Sequence, residues 1–375
     1  MTPSDIEPAT PPVAVGDLLD AAAGITSDAR AANTTRAYDS DWRRFVRWCA
    51  DRDLCPLPAA PETVVAYLMD AVGDGRDGPA RKVSTLSRWV TTMNVAHRDS
   101  GLPKPGEYPA VRQFLAGLAR RHGTRPRRVA PLLLDDVRTI VAVMDTRVWP
   151  GGVSAVRDAA LVLTAFAGAF RRSEITGLAL DDVTFDRVDG VHLLVRRSKT
   201  DQSGQGAIKP VPFGSTPATC TPCALTRWVG LLAAAHASTR TGRPQRVEVM
   251  RVLLADDPDK HVCRSDRSRL DPVVVGPLHA PLFRPVTRSG SIGVGSLSGD
   301  AVRQVIKRRV AAAGLDPTEF SGHSPRAGFV TEALRHGATA HAIMRQTGHR
   351  DPATVEVYAR ERAPMEGNAV RDLGL

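Results

Sequence analysis

Residues 322–328 read Gly-His-Ser-Pro-Arg-Ala-Gly. The run places His323 and Arg326 three residues apart at the predicted start of a helix. Side chains at this spacing lie on one helical face, and the positive end of the helix dipole favours an anion there. The pattern therefore predicts an anion-binding site, although a surface histidine and arginine at a helix cap would look the same.

A second run, residues 347–358, reads Thr-Gly-His-Arg-Asp-Pro-Ala-Thr-Val-Glu-Val-Tyr. His349 follows the glycine directly, and Tyr358 comes nine residues later. A tyrosine hydroxyl, with a pKa of about 10, becomes a good nucleophile only when a neighbouring group accepts its proton. Taken alone, the run equally fits an ordinary amphipathic helix that carries a tyrosine.

Upstream, an almost wholly apolar segment, residues 156–168, leads directly to Arg171, with Glu174 three residues further on. Such a segment predicts a central buried helix. An arginine at the edge of a core requires a partner, because an unpaired buried charge is costly. Glu174 could orient Arg171 towards a phosphate, or the two could form only a helix-terminal ion pair. The spacing to Glu174 favours Arg171 over its neighbour Arg172.

A turn between two predicted strands carries a lysine. Residues 196–206 read Arg-Arg-Ser-Lys-Thr-Asp-Gln-Ser-Gly-Gln-Gly, with Lys199 near the tip. Only six of the 50 basic residues are lysines, so a lysine at a critical place is informative. A lysine at a hairpin tip can reach into a groove and donate a proton, although hairpin tips often carry exposed lysines. Lys209 is a rival proton donor, but its predicted position on the following strand suits it less.

Arginine, lysine, His-x-x-Arg, Gly-His and tyrosine in this order resemble the tyrosine recombinase (phage integrase) family. Segment 83–105, which ends His-Arg-Asp-Ser-Gly-Leu-Pro-Lys-Pro, looks like the DNA-embracing helical domain of Cre recombinase. The last residues, 367–375, look like the tails of Cre-like integrases. The resemblance covers roughly residues 30–375.

The resemblance implies a role for each matching residue. The implied catalytic set is Tyr358 as the nucleophile that forms a 3′-phosphotyrosine, Arg171 and Arg326 on the non-bridging oxygens, His323 in proton movement, Lys199 on the leaving 5′-oxygen and His349 beside the phosphate. Glu174 is implied to hold the architecture of the site. The covalent link stores the bond energy, so resealing needs neither ATP nor metal. Consistent with this, we find no phosphate-cradling glycine loop and no acidic cluster typical of Mg²⁺ sites.

The net charge of +10 and the pI of about 9.9 indicate a polyanionic partner. We expect double-stranded DNA with inverted-repeat sites. The candidate DNA contacts are cations of both domains and of the linker, namely Arg36, Arg43, Arg44, Arg88, Arg125, Arg127, Arg128, Arg196, Arg197, Lys307, Arg308 and Arg309.

Helical periodicity and turn signals predict a mainly α chain with a small antiparallel β-sheet. The resemblance implies the two-domain recombinase architecture, an N-terminal helical core-binding domain and an α+β catalytic domain that form a C-shaped DNA clamp. The expected segments are a flexible tail (1–27), the helical domain (28–121), a basic linker (122–130), the catalytic domain (131–358) and a terminal segment (359–375) that docks on a neighbouring protomer. Within the catalytic domain, we interpret residues 237–280 as an irregular surface excursion.

The five cysteines are irregularly spaced, which argues against a disulfide framework. Cys220 and Cys223 form one C-x-x-C pair that could bind zinc together with His236, His261 or Cys263. A single pair is a weak signal, so we interpret the cysteines as structural and expect neither a metal nor another cofactor.

The chain shows no signal-peptide pattern and no apolar membrane span, which predicts a cytoplasmic, nucleoid-associated protein. The resemblance implies a homotetramer on DNA, built from monomers or weak oligomers. The expected activity is strand exchange between two specific sites through a Holliday junction, with integration and excision of a mobile element as its role. Two alternatives stay open, namely DNA relaxation of the type IB topoisomerase kind and non-catalytic DNA binding on the same scaffold. The sequence does not say whether accessory proteins take part.

Overall fold

A computed structural model of the chain describes residues 18, 32–73, 81–124, 129–198, 201, 204–264, 277, 279–356 and 373. The chain divides into two compact units, Met1–Arg127 and Arg128–Leu375. Apart from Leu18 and Leu373, the expected N-terminal tail and the expected terminal segment lie outside the described residues.

In the described part of the first unit, four α-helices surround an aromatic core. They are α1 (Ala32–Ala50), α2 (Pro61–Val72), α3 (Val83–Asp99) and α4 (Pro109–His122). A proline opens α2 and α4 at the first helical position, where the missing N–H costs nothing. The ring of Tyr67 lies within 5.2 Å of the rings of Phe45, Trp48 and Trp89. Three helices therefore bury their apolar faces against one another.

The second unit is built around one buried helix. Two short helices, α5 (Leu134–Ala142) and α7 (Arg172–Gly177), flank this central helix, α6 (Gly151–Ala167), along the chain. Every residue from Ala155 to Ala165 is buried. The buried run includes the carboxylate of Asp158, which is balanced by guanidiniums within 3.0 Å from Arg157, Arg308 and Arg309. The sequence prediction of a central, buried helix before Arg171 is confirmed.

A small sheet follows α7 along the chain. Its strands are β1 (Val183–Phe185), β2 (Gly190–Val195) and β3 (Ala207–Pro212), all antiparallel and in the order β1-β2-β3. The later helices are α8 (Thr221–Thr241), α9 (Gln245–Ala255), α10 (Gly299–Ala312), α11 (Ser324–Arg335) and α12 (Ala340–Thr347). The predicted mainly helical fold with a small antiparallel sheet is confirmed. Among the described helices, none combines the length and apolar content needed to cross a membrane.

The interpretation of residues 237–280 as irregular is wrong over its first part. Helix α8 continues to Thr241, and α9 covers residues 245–255. Helix α9 buries Val249 and Leu253, and it also buries Glu248, which pairs with Arg243 and Arg251 at 3.4 and 3.2 Å. Its apolar residues do not form a clean stripe in the sequence. Packing against α8, rather than local periodicity, therefore stabilises this helix.

The chain that enters the second unit crosses α11 very closely. The N–H of Leu132 donates to the carbonyl oxygen of Ser324 at 2.9 Å. A Cβ atom on Gly328 would lie 1.7 Å from the carbonyl oxygen of Leu132. Only glycine fits this crossing, which lies two residues from Arg326.

We expect Gly328→Ala to lower the free energy of unfolding by about 1–3 kcal/mol, because either the backbone or the helix must shift. The matched control is Gly230→Ala in α8, where the new Cβ would meet Val252 at an ordinary 4.0 Å. That control should be neutral or stabilise by up to about 1 kcal/mol, as alanine favours a helix interior. Urea unfolding measures both, and equal stability of the two variants would contradict the close crossing.

Candidate active site

The site is organised by the turn that ends the buried helix α6. Ala169 adopts a left-handed backbone conformation, with φ of +48°. The turn directs two carbonyl oxygens at cations from distant elements. Lys209 Nζ lies 2.9 Å from the oxygen of Gly168, and Arg326 Nη1 lies 2.6 Å from that of Ala169. Two side chains that are far apart in sequence are thereby fixed to the end of one helix.

Glu174 is the anion of the site, and its side chain is only 1% exposed. Its carboxylate accepts from the guanidinium and from the backbone N–H of Arg171, at 2.6 and 2.9 Å. The ammonium of Lys209 lies 3.4 Å away. Burial alone would raise the pKa of Glu174, but Lys209 and the Arg171 hydrogen bonds outweigh it and hold the pKa below its usual value. Glu174 is therefore ionised and orients Arg171.

Arg171 is the arginine that pairs with Glu174. Its neighbour Arg172 is exposed, and its side chain passes over Gly322, where a Cβ would lie 2.9 Å from Arg172 Cδ. The geometry agrees with the choice of Arg171 that the spacing to Glu174 suggested.

Lys209 lies inside the site although the sequence reasoning ranked it below Lys199. It is 4% exposed and directs its ammonium at Gly168 O, Ala169 O and Glu174 Oε2. Burial lowers the pKa of Lys209 to about 8, against the opposing attraction of Glu174. The sequence carried a signal for this burial. Lys209 shares its strand face with Val211, and the residues between and beside them point outwards.

Arg326 is 1% exposed and contacts His349. Its Nη2 donates to His349 Nε2 at 2.9 Å, and His349 Nδ1 lies 3.0 Å from Thr347 Oγ1. A guanidinium has only donors, so Nε2 must accept and the proton of the neutral ring must sit on Nδ1. Burial, and then Arg326, lower the pKa of His349 to about 4. His349 is therefore neutral, and its hydrogen bond fixes the orientation of the Arg326 guanidinium.

His323 precedes α11, and its ring reaches solvent. Surrounding protein removes part of its hydration, and the charges of Arg326, Arg171 and Arg172 add to this effect. Together they lower the pKa of His323 to about 4. A neutral imidazole can accept a proton from a nucleophile, which a protonated one cannot.

The structure thus brings together Arg171, Glu174, His323, Arg326 and His349 from the predicted set, and adds Lys209. Among the three cations and one carboxylate of this group, positive charge is in excess. Such a group suits an anionic ligand with several oxygens, such as a phosphodiester. Lys199 and Tyr358 lie outside the described residues. Their catalytic roles stay predictions.

The candidate DNA contacts of the first unit lie mostly on α1. Arg36, Arg43 and Arg44 are exposed. The guanidinium of Arg44 also lies 5.0 Å from the ring centre of Trp89. Arg88 is half exposed and pairs with the buried Asp41 at 2.8 Å. The charge of Arg88 is therefore partly neutralised by Asp41.

The candidates of the second unit differ in their availability. Arg197 is exposed, and Arg196 is held by Asp181 and Asp182 at 2.7 and 2.5 Å. Lys307 is half-buried. Arg308 and Arg309 both pair with the buried Asp158, and Arg309 is only 16% exposed. The remaining candidates, Arg125, Arg127 and Arg128, lie outside the described residues.

Comparison with known proteins decides the family. Residues 294–364 match the phage integrase family. An integrase/recombinase XerD homolog of Selenomonas ruminantium is 31% identical over 91% of this chain and 85% of its own length. The chain belongs to the phage integrase family of tyrosine recombinases. Its enzyme class, a site-specific DNA recombinase of the tyrosine type, agrees with the prediction.

Three further comparisons agree with the predicted Cre-like relationship and fold. The recombinase Cre of Escherichia phage P1 is 24% identical over 88% of this recombinase and 84% of Cre. A crystal structure of a lambda integrase dimer bound to a COC′ core site superposes with a TM-score of 0.51 at 15% identity, covering 92% of this chain and 95% of that one. The XerH recombinase bound to palindromic difH superposes with the same TM-score, over 84% and 72%.

The low pKa of His349 predicts a pH-dependent stability. Above pH 6.5 the ring is neutral in the folded and the unfolded chain, so it makes no difference. As the pH falls from 6.5 to about 4, His349 binds a proton in the unfolded chain but stays neutral in the folded recombinase. The free energy of unfolding should therefore fall by up to about 3 kcal/mol from this group alone.

His349→Gln should flatten that fall, since glutamine does not titrate but can still accept from Arg326. The control is His341→Gln, which changes an exposed histidine of α12 and should keep the wild-type slope. Urea unfolding at several pH values between 7 and about 4 measures the slopes. The same slope for His349→Gln and wild type would show that His349 is protonated equally in both states.

Proposed function

We propose that this recombinase cleaves and rejoins DNA through Tyr358 and exchanges strands between two specific sites via a Holliday junction. The observation that carries the proposal is the placement of Arg171 and Arg326 around one turn. Glu174 orients the first, and Ala169 and His349 orient the second. The two guanidiniums are thereby preorganised for one scissile phosphate.

Preorganised cations suit this reaction because a phosphodiester is anionic and repels a nucleophile. Charge on the non-bridging oxygens grows as the pentavalent state forms, and guanidiniums stabilise it without reorganising. Removing one such donor should slow cleavage by about a hundred-fold or more. In the proposed step, the Tyr358 oxygen forms a bond to phosphorus and its proton passes to His323. The bond from phosphorus to the 5′-oxygen breaks at the same time.

The leaving 5′-oxygen needs a proton, and we assign that proton to Lys199. The contacts of Lys209 support this choice. An ammonium has three N–H donors, and Lys209 faces three acceptors within 3.4 Å. The ammonium of Lys209 thus directs its three donors at Glu174 and the two carbonyls of the turn. We propose that Lys209 is a positioning residue. Rejoining reverses the chemistry, as a 5′-hydroxyl of the other site attacks the phosphotyrosine and releases Tyr358.

We further propose that the recombinase acts on double-stranded DNA with inverted-repeat sites, as a tetramer, in integration and excision of a mobile element. The similar lambda integrase and XerH structures contain core-site and palindromic DNA, which supports a DNA partner. The net charge of +10 and the exposed arginines of α1 suit the same ligand. Residues 359–375 are the proposed contact between neighbouring protomers.

Covalent trapping tests the proposal. Nicked duplexes made from the DNA that flanks the gene are incubated with wild type, Tyr358→Phe and Tyr108→Phe, and the products are separated on denaturing gels. Tyr108 is a surface tyrosine of the first unit, so its variant is the matched control. We expect a protein–DNA adduct with wild type and Tyr108→Phe, and none with Tyr358→Phe. An adduct that survives Tyr358→Phe would overturn the nucleophile assignment.

Mass photometry of the trapped complex on paired sites counts the bound protomers. Four protomers per pair of sites support the proposed assembly, and two contradict it.

A further inference from the structure

A cluster of soft ligands lies away from the catalytic group. Cys220, Cys223, His261 and Cys263 place one ligand atom each within 4.8 Å of all the others. The three cysteines are buried and His261 is half-buried. The Sγ atoms of Cys220 and Cys263 are 3.8 Å apart, and His261 Nδ1 lies 3.3 Å from Cys223 Sγ and 4.0 Å from Cys263 Sγ.

These separations, from 3.3 to 4.0 Å, are close to the edges of a tetrahedral zinc site. With Zn–S bonds of about 2.3 Å and a Zn–N bond of about 2.0–2.1 Å, the ligand atoms of a tetrahedron are about 3.5–3.8 Å apart. The 3.8 Å between the Sγ atoms of Cys220 and Cys263 is also far too long for a disulfide, and none of the three cysteines forms one. Three thiolates and one imidazole form a ligand set that selects zinc among the common divalent metals.

The surroundings of the cluster support a metal ligand set rather than mere packing. His261 Nε2 lies 3.4 Å from the carbonyl oxygen of Ser215. A carbonyl there keeps the proton on Nε2 and leaves the Nδ1 lone pair directed at the three sulfurs. The backbone N–H of Gly214 donates to Cys220 Sγ at 3.3 Å, which stabilises a thiolate. A Cβ on Gly214 would lie 2.8 Å from the Cys220 backbone, so this tight turn needs glycine.

We propose that this recombinase binds one structural zinc ion through Cys220, Cys223, His261 and Cys263. Four protein ligands close the coordination sphere, so the ion has no open position for catalysis. It links the first turn of α8 to the segment that follows α9. It also fixes the turn that leaves β3, the strand that carries Lys209. The sequence alone favoured a metal-free chain, because the second pair, His-x-Cys, lacks the regular spacing that a zinc-binding sequence motif shows.

Metal analysis of the full-length protein tests the proposal. Wild type is purified under reduction, incubated with zinc chloride, dialysed and analysed by inductively coupled plasma mass spectrometry. We expect about one zinc per chain, and loss of most of it in Cys223→Ser and Cys263→Ser. Cys49→Ser and Cys55→Ser, which change a buried and an exposed cysteine of the other unit, should keep it.

Less than about one-tenth of an equivalent in wild type, or full zinc in both ligand variants, would overturn the proposal. Because a ligand variant can lose its metal by failing to fold, a second measurement uses wild type alone. Cobalt chloride added to the chelator-treated protein should give the intense visible bands of tetrahedral, thiolate-bound Co²⁺ at one equivalent, and zinc should abolish them. The weak spectrum of octahedral cobalt would contradict a Cys₃His site.

Discussion

The burial of the Glu174 carboxylate determines the arrangement of Arg171, Lys209 and Arg326 around it. An ionised side chain that is 1% exposed is tolerated only when it is paired and hydrogen-bonded. Glu174 meets this condition through Arg171 and Lys209, which come from the adjacent cap and from the third strand of the sheet. Because the buried charge of Glu174 must be balanced, the start of α7 and strand β3 are held together at this position.

The turn after the buried helix extends this arrangement to Arg326. The same two carbonyls that face Lys209 include the acceptor of Arg326, so both cations lie against a rigid helix end. His349 completes the support by accepting, as a neutral ring, from the other terminal nitrogen of Arg326. Each guanidinium is thus oriented by groups that do not react, which is the preorganisation that phosphoryl transfer requires. Zinc at the cysteine cluster would extend the same principle, by fixing the chain where the strand of Lys209 ends.

Local patterns in the sequence predicted the buried helix and the small sheet, and they singled out the residues around Arg171 and Arg326 that the structure brings together. The apolar run before Arg171 forms the buried helix α6, and the turn at residues 196–206 lies between β2 and β3. The failures all involve contacts between distant residues. Helix α9 forms because α8 covers it, and Lys209 is buried because Glu174 balances it. Likewise, the side chains of Cys220 and Cys263 approach each other across 43 residues, a separation that no spacing rule covers.

In the proposed reaction, Arg171 and Arg326 act by balancing the charge of one scissile phosphate. Single-turnover cleavage of two duplexes tests it, one with an ordinary phosphodiester and one with a neutral methylphosphonate at the scissile position. The rates on the two duplexes are compared within each variant, Arg171→Ala and Arg326→Ala. A smaller amount of folded protein would lower both rates equally and leave their ratio unchanged. We expect the cleavage rate of each variant, relative to wild type, to fall by about a hundred-fold or more on the phosphodiester and far less on the methylphosphonate. Equal losses on both duplexes would contradict it and leave the arginines with a purely structural role.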